Sequence, residues 1–143
     1  MDIPTFRQQF RANLIAIISL AVALSGLGYT TWRNEQTEAN RNMRVAGFET
    51  LKLLSELQTL VEYAHFKKNR QLGDPVQGWA RVLNIRDLSR LLPNAAQNDA
   101  ERLTTAWRDN VDTVEADRES MVRITDEIQR LRLTVLDLLT QLR

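Results

Sequence analysis

Few side chains in this sequence are equipped for chemistry. It holds one histidine, His65, and no cysteine, which excludes disulfides, thiolate metal sites and cysteine nucleophiles. No Gly-rich phosphate loop, His-Glu-x-x-His pair, nucleophile elbow or carboxylate dyad is present. Neither an enzyme nor a metal or cofactor protein is expected.

The residues that could bind something are bulky or polar rather than catalytic. Trp79 and Trp107 could wall a small-molecule pocket, with His65 and Asn110 as its polar groups. Each also has a plainer reading. The two tryptophans serve as core packing. Asn110 and Asp117 could form a polar ligand pocket facing Arg70 or His65; their plainer reading is a register-fixing polar layer or a local departure of the seam towards Val111. His65 could switch with pH, but beside Lys67 and Lys68 it reads as solvated. Arg81, Arg86 and Arg90 could hold an anion, or simply answer an acidic block elsewhere in the chain.

The elements that must position these residues begin with a charge-free stretch, Ala12–Trp32. Its 21 positions rise ~31 Å as a helix, about one bilayer core. Tyr29 and Trp32 suit one membrane interface and Phe6 and Phe10 the other. The expected organisation is a stub at 1–11, a transmembrane helix at 12–32 and an extramembrane domain at 33–143. A cleaved signal peptide is the rival, with Arg7 and Arg11 as its basic region, Leu14–Leu24 as its apolar run and Ala23-Leu24-Ser25 as its cleavage site. Apolar residues continuing to Trp32 favour a signal-anchor.

One face of this stretch is small: Ala12, Ala16, Ser19, Ala23, Gly26 and Thr30 recur at steps of three and four. Small residues at that period let a second helix approach closely inside a bilayer. A short basic stub ahead of a long domain favours a cytoplasmic N-terminus and a domain carried across. Sixteen arginines against three lysines suit a GC-rich bacterium, so the expected location is the inner membrane with a periplasmic domain.

Arg7 and Arg11 are the bases before the span and Asp2 the acid, leaving 17 bases and 17 acids beyond it. A neutral domain offers no basic face for nucleic acid. That domain reads as all-α. A long helix over 33–72 continues from the span with Ala46, Leu53, Leu54, Leu57, Leu60, Val61 and Ala64 on one face, and Gly73 follows as a left-handed cap. Asp74-Pro75-Val76-Gln77 starts a short capping helix over 75–92, ended by Pro93. Asn98-Asp99-Ala100-Glu101 starts a long antiparallel return helix over 98–143.

The return helix carries heptads. Ala100, Trp107, Val114, Met121, Ile128, Val135 and Leu142 fall at a, and Leu103, Asn110, Asp117, Ile124, Leu131 and Leu138 at d. A basic block at 64–90 faces an acidic block at 99–119 when the two long helices pair. Two long helices leave much of this coiled-coil seam uncovered, so a partner is expected: another membrane protein, or a second copy completing a four-helix bundle.

A span followed by a helical domain resembles, in architecture only, the input half of bacterial chemoreceptors and sensor kinases. Those proteins continue through a second span into a cytoplasmic signalling region. The resemblance implies the second of two functions, small-molecule sensing near Trp79 and Trp107. The first is a membrane-anchored interaction module, an accessory, scaffolding or assembly subunit of a larger membrane complex.

Overall fold

The computed structural model describes residues 6–69 and 71–142, of which 6–12 by backbone only. Four helices follow one another, α1 (Phe6–Lys67), α2 (Pro75–Ser89), α3 (Asn94–Asn110) and α4 (Arg118–Gln141), with no strand among the described residues. The chain divides into two compact units, residues 1–39 and 40–143.

The first unit is the N-terminal part of α1. Every described side chain from Asn13 to Ala39 is exposed, and this stretch is long and apolar enough to cross a membrane. Two hydroxyls of the apolar run are turned inward onto the helix: Ser25 donates to the Ala21 carbonyl at 2.8 Å and Thr30 to the Gly26 carbonyl at 2.9 Å. Such back-bonding removes the need for water.

The second unit is an up-down-up-down four-helix bundle built from the rest of α1 and from α2, α3 and α4. Each neighbouring pair is fixed by a contact. Arg81 of α2 reaches Glu56 of α1 at 3.2 Å, and Trp107 of α3 lies against Gly78 of α2. Thr134 of α4 donates to buried Asp99 of α3 at 2.7 Å. Arg132 of α4 reaches Ser55 of α1 at 3.2 Å, while farther along Leu139 packs on Gly47 and Arg44 donates to the Leu142 carbonyl at 2.7 Å. The core between the helices holds Leu54, Leu57 and Val61 of α1, Val82 and Ile85 of α2, Leu103 and Trp107 of α3, and Ile124, Ile128, Leu131 and Val135 of α4.

The return element differs from the single helix expected over 98–143. It is two helices folded back on each other, joined by a turn at 111–117. The turn falls at the two polar d positions. Asn110 ends α3, its amide donating to the Ala106 carbonyl at 2.7 Å. Asp117 is extended (φ −107°, ψ 117°) and caps α4, accepting from the Glu119 and Ser120 amides. A cap needs a side-chain oxygen just outside the first turn, so Asp117 breaks the helix instead of forming a polar layer within one. The reason for expecting a second copy to cover the seam disappears with it, because α4 covers α3 within one chain.

Two further boundaries shift. The α3 helix begins at Asn94, directly after Pro93, and Gln97 reaches back to the Leu92 carbonyl at 2.8 Å. Asp99 is therefore an interior residue bonded to Thr134, not part of a capping box. The α1 helix stops at Lys67, and Lys68 takes the left-handed conformation (φ 47°) expected of Gly73. Gly73 is required for space: a Cβ there would lie 2.7 Å from the Ala64 backbone. Asp74 caps α2 as read from the sequence, accepting from the Val76 amide at 2.9 Å. The α2 helix ends at Ser89 and runs out through i→i+3 bonds to Leu92, just before Pro93.

Candidate interaction surfaces

The small-residue face of α1 is open. Ala16, Ser19, Ala23, Gly26 and Thr30 are all exposed, and a Cβ built on Gly26 meets nothing within 4 Å. The Ala12 side chain lies outside those described, as does Arg70. Tyr29 and Trp32 lie side by side at the end of the apolar run, with ring centroids 6.2 Å apart and planes tilted by 46°.

The heptad seam is brought together inside the bundle. Trp107, Val114, Ile124, Ile128, Leu131 and Val135 are buried, and Met121, Leu138 and Leu142 half-buried. The phase survives the break because the turn carries the chain from α3 to α4 without upsetting which side faces the core.

The residues proposed for a ligand pocket are not gathered around one cavity. Trp107 is 0% exposed, and its ring fills the space that a side chain at Gly78 would need, with a built Cβ only 2.1 Å from Cζ2. Its indole Nε1 is buried without a hydrogen-bond partner in the chain. Trp79 is half-buried at the edge of the core. His65 is half-buried and tied to the α3–α4 turn, where its Nδ1 donates to the Val114 carbonyl at 2.8 Å. A carbonyl only accepts, so Nδ1 carries the proton in this bond. Phe66 meets the imidazole edge-on at 4.9 Å. Of the four residues, Asn110 lines a larger open space.

That space is a groove of about 800 Å³ along the outside of α3 and α4. Glu101, Arg102 and Asp109 come from α3, and Arg123, Asp126, Glu127 and Arg130 from α4, with Ala106 and Asn110 between them. Its arginines are engaged locally: Arg102 lies 3.7 Å from Asp99, Arg123 2.6 Å from Glu119 and Arg130 3.3 Å from Glu127. Sequence reading missed this surface because its charged residues sit on the outer positions of the heptad, where charge is ordinary. The basic residues of α2 find acids nearby: Arg81 meets Glu56, and Arg86 lies 3.8 Å from Asp87. At the loop end of the bundle, Lys68, Asp112 and Glu115 line one cavity of about 380 Å³.

The carboxyl of Asp117 is held low by its surroundings. The Ser120 hydroxyl and then the Ser120 amide hold its carboxyl below the ordinary value of 3.8, against slight desolvation and with smaller help from the Glu119 amide and Arg123. The cause is capping, since all the hydrogen-bond donors belong to the first turn of α4.

Large apolar side chains are also exposed along α1, notably Val45, Phe48 and Phe66, and on α4 at Leu133 and Leu136. No protein-family model matches the chain, and no curated protein or solved structure matches it.

Proposed function

We propose that the protein is a single-pass membrane protein whose helical bundle is an interaction module, serving as an accessory, scaffolding or assembly subunit of a larger membrane complex. One observation carries this reading: an exposed, charge-free helical segment is joined to a bundle that satisfies its own core. The segment needs an apolar surrounding; the bundle does not. Exposed apolar surface on that scale on a soluble chain would be a liability, whereas in a bilayer it is the expected lipid-facing surface. The small face at Ala16, Ser19, Ala23, Gly26 and Thr30 supplies a route for a second transmembrane helix to pack against it.

We place the protein in a bacterial inner membrane with the N-terminus cytoplasmic and the bundle periplasmic. The support is the basic stub ahead of the apolar run and the arginine-rich composition. The tight contact of Trp107 with Gly78 leaves the sensing alternative no space for a ligand on that side of the ring.

The test is purification of the full chain from its native membranes after alkaline extraction, followed by mass measurement. Retention in the membrane with a stoichiometric partner that is lost in Ala16→Leu/Ala23→Leu supports the reading. Release by alkali removes the anchor, and a bare homodimer overturns the accessory-subunit role.

A further inference from the structure

At the loop end of the bundle, the last turn of α1, the start of α2 and the turn joining α3 to α4 leave a cleft between them. Its volume is about 380 Å³, the size of a small-molecule site. The floor is apolar: Ala64 is 7% exposed, Val111 6% and Val114 4%, with Gly73 buried beside them. Alanine and glycine on one side leave open the space that larger side chains would fill. On the other side Val114 is held in place, because His65 Nδ1 donates to its carbonyl. The charges stand only at the rim. Lys68 and Asp112 are exposed there, and neither makes an ion pair among the described residues. Glu115 lies beside them, and the Asp74 carboxylate is committed to the Val76 amide. The backbone of Lys68 is left-handed (φ 47°), a conformation that suits glycine and strains a residue with a Cβ. What lysine adds at this position is an ammonium group at the mouth of the cleft.

We propose that this cleft binds a free α-amino acid with an aliphatic side chain. Such a ligand carries both charges at one end and its apolar body at the other. That matches a rim with both signs of charge over a floor with neither. Lys68 takes the carboxylate, Asp112 takes the ammonium, and the side chain enters between Ala64, Val111 and Val114. A monoamine or a simple carboxylic acid leaves one rim charge unanswered. A ligand with its charges at opposite ends would bury one of them on the apolar floor, which is costly. The site lies within the bundle, goes beyond the interaction role and does not depend on it.

The test is isothermal titration of the full chain in detergent with L-valine and L-leucine, of which at least one is expected to bind. Three controls each remove one part of valine: glycine lacks the apolar body, isobutylamine the carboxylate and 3-methylbutanoate the ammonium. Each should bind about tenfold more weakly, or worse. Lys68→Gly and Asp112→Asn should each lower the affinity by about the same factor. Lys68→Gly also relieves the backbone, so its thermal midpoint without ligand should rise. Loss of binding in a chain more stable than the parent is then not loss of fold. Failure of both aliphatic amino acids to bind overturns the proposal. So does a control that binds as tightly as the amino acid, or binding that both variants leave unchanged. None of these outcomes bears on the accessory-subunit role, which the membrane purification tests separately.

Discussion

The Cα of Gly78 in α2 lies against the indole of Trp107 in α3 so closely that a methyl group there would sit 2.1 Å from Cζ2 and 2.3 Å from Cη2. The side chain in the way is fully buried and cannot swing aside. In an exposed helix Gly→Ala gains about 1 kcal/mol, whereas overpacking a closed core costs about 1–3 kcal/mol. Gly78→Ala is therefore expected to lower stability by up to about 2 kcal/mol, read as a fall in the denaturation midpoint. Trp107→Phe in the same chain should recover part of the loss, so that the double variant is more stable than the two single effects predict.

Gly73 and Lys68 test space against backbone conformation. Gly73 is needed because a Cβ would meet the Ala64 Cα and N at 2.7 Å, and backbone does not yield. Asparagine, which tolerates a left-handed conformation, should fail at 73 as badly as alanine does. Lys68 carries the positive φ, so Lys68→Gly should stabilise by about 0.5–1 kcal/mol. Rescue of position 73 by asparagine would mean that its conformation, not its contact, requires glycine.

Acid should release the cap of α4. The carboxyl of Asp117 is held below 3.8 by the Ser120 hydroxyl and amide, so it binds a proton more readily in the unfolded chain. Its contribution is fully present above 3.8 and is lost as pH falls through the lower folded value. Amide exchange at Glu119 and Ser120 should accelerate relative to the rest of α4 in that window. Asp117→Asn, with nothing to titrate, should show no such local step.

The small face of α1 should govern association in the bilayer. Ala16→Leu with Ala23→Leu keeps the segment apolar and removes the close approach that small residues allow. Self- or partner-association of the membrane-inserted chain should weaken, and unchanged association would take this face out of the interface.

What could be read from the sequence followed periodicity, and what could not depended on contacts distant in the chain. The seam from Trp107 to Leu138 was legible although the helix carrying it is two helices, because burial follows phase. Asp74 and Pro75 announced α2, since a cap and its proline act within one turn. Asp117 carried the same local signal, yet its heptad position disguised it as a polar layer. Asn98 looked like a cap ahead of Asp99, yet α3 already runs through both, and the partner of Asp99, Thr134, lies on another helix. Gly73 was recognised as necessary for the wrong reason, because only the fold brings Ala64 beside it. The α3–α4 groove had no sequence signature at all.

The pairing of Gly47 with Leu139 and of Arg44 with the Leu142 carbonyl also has a consequence in time. About 90 residues must be synthesised after Gly47 before Leu139 exists to cover it, and at 5–20 residues per second this takes ~5–18 s. Throughout that interval the apolar flank of α1 lacks its final neighbour. The nascent chain thus keeps this flank open to chaperones, proteases and wrong partners until α4 has been made, and truncations that lose the end of α4 would keep that vulnerability permanently.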